Sequence, residues 1–246
     1  MKICKSISDL ISWRDSCLEQ NIGFVPTMGA LHKGHLSLVE ESKKQCQKTV
    51  VSIFVNELQF SPDEDFKKYP RPLDENLNYL KKLKVDVVFL PAAYEMYTDE
   101  FSVAVNELKL SQKLEGESRP GFFLGVTTIV SKLFNLVRPS HSYFGMKDIQ
   151  QLMIIKKMVR DLNYNINVVG CETVREKCGL AMSSRNQYLD NQQKEEASVI
   201  YKTLKLGRNM ILDHKKYSII IKKLVKKIEA VKGFKIDYLS IACLET

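Results

Sequence analysis

The chain has 246 residues, 44% of them hydrophobic and 27% charged, enough for one large core or a large domain plus a small one. No apolar run approaches bilayer length, and the opening Met1-Lys2-Ile3-Cys4-Lys5 lacks the apolar segment of a signal peptide, so a cytoplasmic protein with no membrane partner is expected. The net charge of +8 is local, because residues 194–235 hold 12 basic against 4 acidic residues and the rest of the chain balances.

Residues 1–20 suggest an amphipathic helix carrying Ile7, Leu10, Ile11, Trp13 and Leu18. Ile22–Val25 reads as the first strand, which Pro26 should end because it has no ladder donor. A helix is expected from His35 to about Cys46. Lys48–Val55 is a strongly apolar second strand suited to a parallel sheet, ending at Asn56. Leu73, Leu77, Leu80 and Leu83 mark the next helix, and Val85–Leu90 the third strand. Phe101–Val105 is expected as a short fourth strand, and Leu114–Pro120 as a loop. Gly125–Val137 is a long apolar helix, Ser142–Phe144 a brief strand, and Gly145–Asp148 a turn into a helix with Ile149, Leu152, Ile155 and Val159. Asn165–Val169 is a further strand and Thr173–Asn186 a loop. Helices over 191–210 and 216–232 and a strand over Phe234–Leu244 complete the chain.

This alternation predicts a Rossmann-like, doubly wound, mostly parallel α/β sheet over 1–175, followed by a small C-terminal α+β domain over 176–246. In the basic segment, Ile221, Leu224, Val225 and Ile228 form one stripe and Lys222, Lys223, Lys226 and Lys227 the other, the pattern of a solvated helix face. A nucleic-acid surface is the alternative there, but no aromatics interleave with the lysines. The cysteines at 4, 17, 46, 171, 178 and 243 form no Cys-x-x-Cys pair and read as reduced, mostly buried thiols.

Three loops carry chemistry. Met28-Gly29-Ala30-Leu31-His32-Lys33-Gly34-His35 lies between a strand and a helix mouth, where free N–H groups and the dipole favour an anion such as phosphate. Its two imidazoles can donate to phosphate oxygens without a fixed charge. The competing reading is half of a metal site, for which only His141 and His214 remain as further histidines, neither at ligand spacing. Gly145-Met146-Lys147-Asp148 offers a cation and an acceptor for a ribose hydroxyl. Met182-Ser183-Ser184-Arg185 offers two hydroxyls and a guanidinium. Together they can hold a nucleoside triphosphate. Asn56 and Gln59 fall just past a strand end, where ligands of open α/β sheets lie.

The motifs Pro-Thr-Met-Gly-Ala-Leu-His-x-Gly-His, Phe-Val-Asn-x-x-Gln-Phe, Tyr-Pro-Arg, Arg-Pro-Gly-x-Phe-x-Gly-Val, Tyr-Phe-Gly-x-Lys-Asp-x-Gln-Gln-Leu and Gly-Leu-Ala-Met-Ser-Ser-Arg-Asn-x-Tyr-Leu follow in order from residue 26 to 189. In these the chain closely resembles the pantoate–β-alanine ligase family. The resemblance implies ATP-dependent joining of pantoate to β-alanine through a pantoyl adenylate, with magnesium on the phosphates, in a cytoplasmic homodimer. It implies His35 as catalytic donor, with His32 and Lys147 beside it. The ATP site would comprise residues 28–35 and 145–148, Val174 and residues 182–185. Gln59, Gln151 and Asn56 would take pantoate, Gln59 also lying near β-alanine, and Tyr69, Glu115 and Arg119 would line the site. The C-terminal domain would act as a lid. Protein ligands for magnesium are not implied. Departures from the family pattern are Glu57-Leu58 for Pro-Thr, Phe122 for a common His, and Met146 for an acidic or amide residue. The chain also stops just after Asp237-Tyr238-Leu239, where relatives usually continue. A nucleotidyltransferase that releases an adenylated product remains the alternative enzyme.

Overall fold

A computed structural model describes residues 1–243. They form two compact units that divide between Thr173 and Val174.

The first unit is built on a six-stranded sheet: β1 Lys2–Cys4, β2 Ile22–Thr27, β3 Lys48–Ile53, β4 Val87–Phe89, β5 His141–Gly145 and β6 Asn167–Cys171. Every pairing is parallel, in the order β1-β4-β3-β2-β5-β6. The connecting helices are α1 Ile7–Asp15, α2 Lys33–Gln45, α3 Leu73–Lys82, the short α4 Ala93–Met96 and α5 Glu115–Ser118, the long α6 Phe122–Val137, and α7 Ile149–Asp161. Alternation along each strand sends neighbouring side chains to opposite faces. Phe24 and Val50 join Leu10, Phe134 and Leu152 in one core, while Val25 and Val51 join Leu38, Val39 and Leu80 in another. Strands buried on both faces are what the unbroken apolar runs encode. A fully buried side chain such as Phe24 or Phe134 contributes roughly 1.5–3 kcal/mol. From β2 the chain winds to β3 and β4 on one side, whereas β5 and β6 lie on the other. The strand order therefore reverses between β2 and β5, and a crevice opens at their carboxyl ends.

Several expectations are corrected. Residues 1–20 are not one helix. β1 occupies Lys2–Cys4, paired in register with Val87–Phe89, and α1 begins after Ser6, whose side chain accepts from Asp9 N–H at 3.1 Å. Pro26 does not end β2, which continues to Thr27. The Ile22 and Phe24 carbonyls face β5, accepting from Ser140 N–H and Ser142 Oγ. By alternation Pro26 faces that side too, and the β2–β5 ladder has already ended at Phe24. Phe101–Val105 is not a strand. The Val105 N–H donates to Thr128 Oγ1 (3.0 Å) and its carbonyl accepts from Thr127 Oγ1 (2.5 Å), so helix hydroxyls satisfy it. Glu115–Ser118, expected as loop, is a single helical turn.

In the second unit, a single antiparallel bridge joins Arg175 and Ala181. A 3-10 turn spans Ser184–Tyr188, α8 covers Asn191–Leu212 and α9 Tyr217–Glu229. Asp190 and Gln193 form a capping box at the start of α8. A Cβ on Gly207 would come within 2.6 Å of Leu224 Cδ1, so this glycine lets α8 and α9 approach closely. Ile220, Leu224 and Ile228 are buried, and Lys222, Lys223, Lys226 and Lys227 are exposed. The expected strand over Phe234–Leu244 is absent from 234–243, and Leu244 lies outside the described residues. Among the described residues of this unit no neighbouring strand could pair with it. None of the six cysteines is in a disulfide, and only Cys4 is buried; Cys243 is exposed. Cys17, Cys46 and Cys171 sit at element ends, which explains their partial exposure. No helix among the described residues is long and apolar enough to cross a membrane.

Candidate active site

The loop after β2 is fixed at three points. Thr27 Oγ1 donates to the Ser52 carbonyl (2.7 Å) and accepts from Gly29 N–H (3.2 Å). Gly29 and Ala30 both adopt the left-handed conformation, at φ +84° and +47°. Leu31 N–H then donates to Asn76 Oδ1 (2.9 Å), reaching from α3. Asn76 is 1% exposed. It was not among the expected site residues, though its position on the Leu73/Leu77/Leu80 stripe is a signal: an amide on an apolar face needs a partner. Asn76→Ala strands the buried Leu31 N–H and should cost about 1–3 kcal/mol. Urea unfolding measures this, and an unchanged midpoint would remove Asn76 from the account.

His32 caps α2. Its Nδ1 accepts from Gly34 N–H (3.1 Å), and the Nδ1 of His35 accepts from His32 N–H (3.3 Å). The two rings lie 4.0 Å apart between centroids. A ring nitrogen that accepts carries no proton, so both neutral imidazoles hold their proton on Nε2. Each presents an N–H donor at the N-terminus of a 13-residue helix.

Both imidazoles are pushed toward neutrality. Burial is the main cause for His35, followed by the positive partner charges of His32 and Lys147, and its pKa falls to about 3. Burial and then Lys147 also lower the pKa of His32. The unfolded His35 protonates near 6.5, so it binds more protons than the folded one as pH falls below that value. Its neutral form thus adds stability that is fully present above pH 6.5 and lost as pH drops toward 3. A nitrogen-15 NMR titration should show the His35 Nε2–H tautomer persisting well below pH 6, and titration near 6.5 would contradict this environment.

Lys147 brings the second loop to the first. β5 neighbours β2, and Gly145–Asp148 follows its end as a 3-10 turn into α7. Lys147 is exposed, 3.2 Å from Asp148 Oδ1, and close enough to disfavour protonation of both histidines. Met146 is also exposed.

Past β3, Phe54 N–H donates to the Thr27 carbonyl (3.0 Å), so the Asn56–Gln59 segment starts beside the histidine loop. Residues 57–59 form a 3-10 turn despite the missing proline. Asn56 is 1% exposed. Its Nδ2 donates to Gln59 Oε1 (3.0 Å) and to the Gly125 carbonyl (3.1 Å), and its Oδ1 accepts from Tyr97 OH (2.7 Å). Arg119 ties the region together. It pairs with both oxygens of Glu64 (2.7 and 2.6 Å), donates to Glu115 (3.1 Å) and to the Gln59 carbonyl (3.3 Å), and lies 3.8 Å over the Phe122 ring. Phe122 thus supplies a stacking surface in place of the commoner histidine. Tyr69 is buried against Phe60. Gln151 is half-buried on the first turn of α7, and among the described residues its amide makes no hydrogen bond.

In the second unit, the Val174 carbonyl accepts from Met182 N–H (3.0 Å). Ser183 Oγ accepts from Arg185 N–H (3.3 Å), Ser184 is buried and Arg185 exposed. Among the described residues no group of three or more His, Cys, Asp or Glu side chains could hold a metal ion.

Neutral imidazole donors on a helix mouth, backed by a lysine from the turn after the neighbouring strand, occupy the reversal point of a parallel sheet. That is the arrangement of a nucleotidyltransferase-like Rossmann protein. The family model for pantoate–β-alanine ligase matches residues 2–246. Pantothenate synthetase of Thermosipho africanus is 49% identical over 98% of this chain and 87% of its own. That of Thermotoga petrophila is 45% identical, over 100% and 89%. The pantothenate synthetase of Thermus thermophilus superposes with a TM-score of 0.94 at 41% identity, covering 100% and 88%. The Francisella tularensis pantoate–β-alanine ligase, complexed with β-γ ATP and β-alanine, superposes at 0.81 with 37% identity, covering 92% and 86%. The chain belongs to the pantoate–β-alanine ligase family.

Proposed function

We propose that the chain joins pantoate to β-alanine at the expense of ATP, with its two histidines holding the reacting phosphate. The pantoate carboxylate attacks the α-phosphorus, the bond to the β-phosphate oxygen breaks, and pyrophosphate leaves. The free amine of β-alanine then attacks the acyl carbon of pantoyl adenylate, releasing AMP and a proton and forming pantothenate. Coenzyme A synthesis consumes this product.

One observation carries the assignment of roles: backbone N–H groups occupy both Nδ1 atoms, so His32 and His35 can only present Nε2–H. These donors and the Lys147 ammonium suit a phosphoryl group whose oxygens gather charge in the transition state. Met28, Gly29, Ala30, Leu31, Lys33 and Gly34 with Gly145, Met146 and Asp148 are assigned to the rest of ATP, as are Val174, Met182, Ser183, Ser184 and Arg185. Gln59 and Gln151, with Asn56 behind Gln59, are assigned to pantoate. Neutral amides orient a carboxylate without the tight ion pair that would blunt it as a nucleophile. We also assign magnesium to the triphosphate, held mostly by phosphate and water oxygens, because Asp148 is the sole carboxylate of the two loops and is paired with Lys147. The ion's part is to neutralise phosphate charge. Residues 176–246 are read as the lid. A cytoplasmic homodimer is the expected state, the compartment being consistent with cysteines outside disulfides; sedimentation at a monomer mass would refute the dimer.

AMP release, measured with each substrate omitted in turn, tests the reaction. AMP should require ATP, pantoate and β-alanine together. An adenylate that accumulates and ignores β-alanine would instead assign a nucleotidyltransferase.

A further inference from the structure

Hydrogen-bond polarity runs in one direction through the wall of the proposed pantoate pocket. The Gly125 carbonyl can only accept, so the Asn56 atom 3.1 Å from it is the NH2 group. That same NH2 lies 3.0 Å from the Gln59 amide, so the Gln59 atom facing it is the carbonyl oxygen. The Asn56 oxygen is then left for Tyr97, whose hydroxyl donates to it at 2.7 Å. Tyr97 is half-buried between Phe54 and Phe101, at 6.1 and 4.9 Å between ring centroids. Burial, and then the negative charge of Glu57, raise its pKa and keep the hydroxyl a donor.

We propose that Tyr97 is a positioning residue for the acid substrate: together with the Gly125 carbonyl it holds the Asn56 amide that sets which end of the Gln59 amide is presented. With its oxygen committed to Asn56, Gln59 offers its NH2 group, a donor matched to a carboxylate or hydroxyl oxygen. Without the Tyr97 donor, the Asn56 oxygen loses its partner, and the Gly125 carbonyl alone is left to hold the Asn56 amide that orients Gln59. This rests on the reading that Gln59 binds pantoate.

Tyr97→Phe keeps the ring and its aromatic neighbours and removes only the hydroxyl. Steady-state kinetics should show the pantoate KM rising roughly five-fold, the size of one net hydrogen bond, with the ATP KM unchanged and the thermal midpoint lower by roughly 3 °C because the buried Asn56 oxygen is stranded. Added to Gln59→Ala, Tyr97→Phe should raise the pantoate KM no further, because both act through one amide. The proposal is overturned if Gln59→Ala raises the pantoate KM while Tyr97→Phe leaves it alone, if the two effects multiply, or if ATP and pantoate KM values rise together. An unchanged pantoate KM in Gln59→Ala defeats the assignment of Gln59 itself, and the relay with it.

Discussion

His35→Ala should slow formation of the pantoyl adenylate by about 100-fold or more, as removal of one preorganised donor to a developing charge does elsewhere. The expectation follows from what His35 is in the folded chain. Its imidazole is neutral, its Nδ1 is occupied by the His32 N–H, and its remaining proton sits at the mouth of α2. Alanine removes the outward donor and half of the cap together. His35→Asn separates the two, since a short amide can accept from the His32 N–H without presenting a proton where Nε2 lay. It should regain part of the lost thermal stability and remain slow. Lys147→Ala should slow the same step comparably. Pyrophosphate exchange reads that step before β-alanine enters, and near-normal exchange in both alanine variants would remove the mechanism.

Gly125→Ala should damage both the fold and the pocket. A Cβ there would lie 2.2 Å from the Leu58 carbonyl oxygen, 2.4 Å from its carbon and 2.7 Å from the Gln59 nitrogen. These are backbone atoms that cannot swing aside. Either α6 or the 57–59 turn must move, at about 1–3 kcal/mol or more. For a chain of this length that corresponds to a thermal midpoint lower by roughly 5 °C. The displacement falls on Gln59 and on the Gly125 carbonyl that holds Asn56. The pantoate KM should therefore rise more than the ATP KM. An unaltered midpoint would show that α6 and the turn are not in close contact.

The alternating strands and the loop motifs are legible in the sequence because each is encoded locally. An apolar run or a glycine-histidine cluster announces itself within ten residues. What escapes is decided at a distance. β1 is three residues long, too short for any period, and exists because Val87–Phe89 lies beside it. Phe101–Val105 has strand composition, yet its backbone meets threonine hydroxyls of α6 instead of another strand. Asn76 left a readable sign as a polar residue on a leucine stripe. Tyr97 left none, because its link to Asn56 spans 41 residues. The histidine loop shows both cases at once: the residue types were readable, whereas the tautomer that gives them their direction follows only from the folded cap.

Pro26 gives the central crevice a consequence of its own. The β2–β3 ladder runs on to Thr27 while the β2–β5 ladder stops at Phe24, and the next residue of β2 that faces β5 brings no amide hydrogen. The two middle strands therefore cannot zip up at that register, and their fork stays parted by covalent structure even when no guest is seated between them.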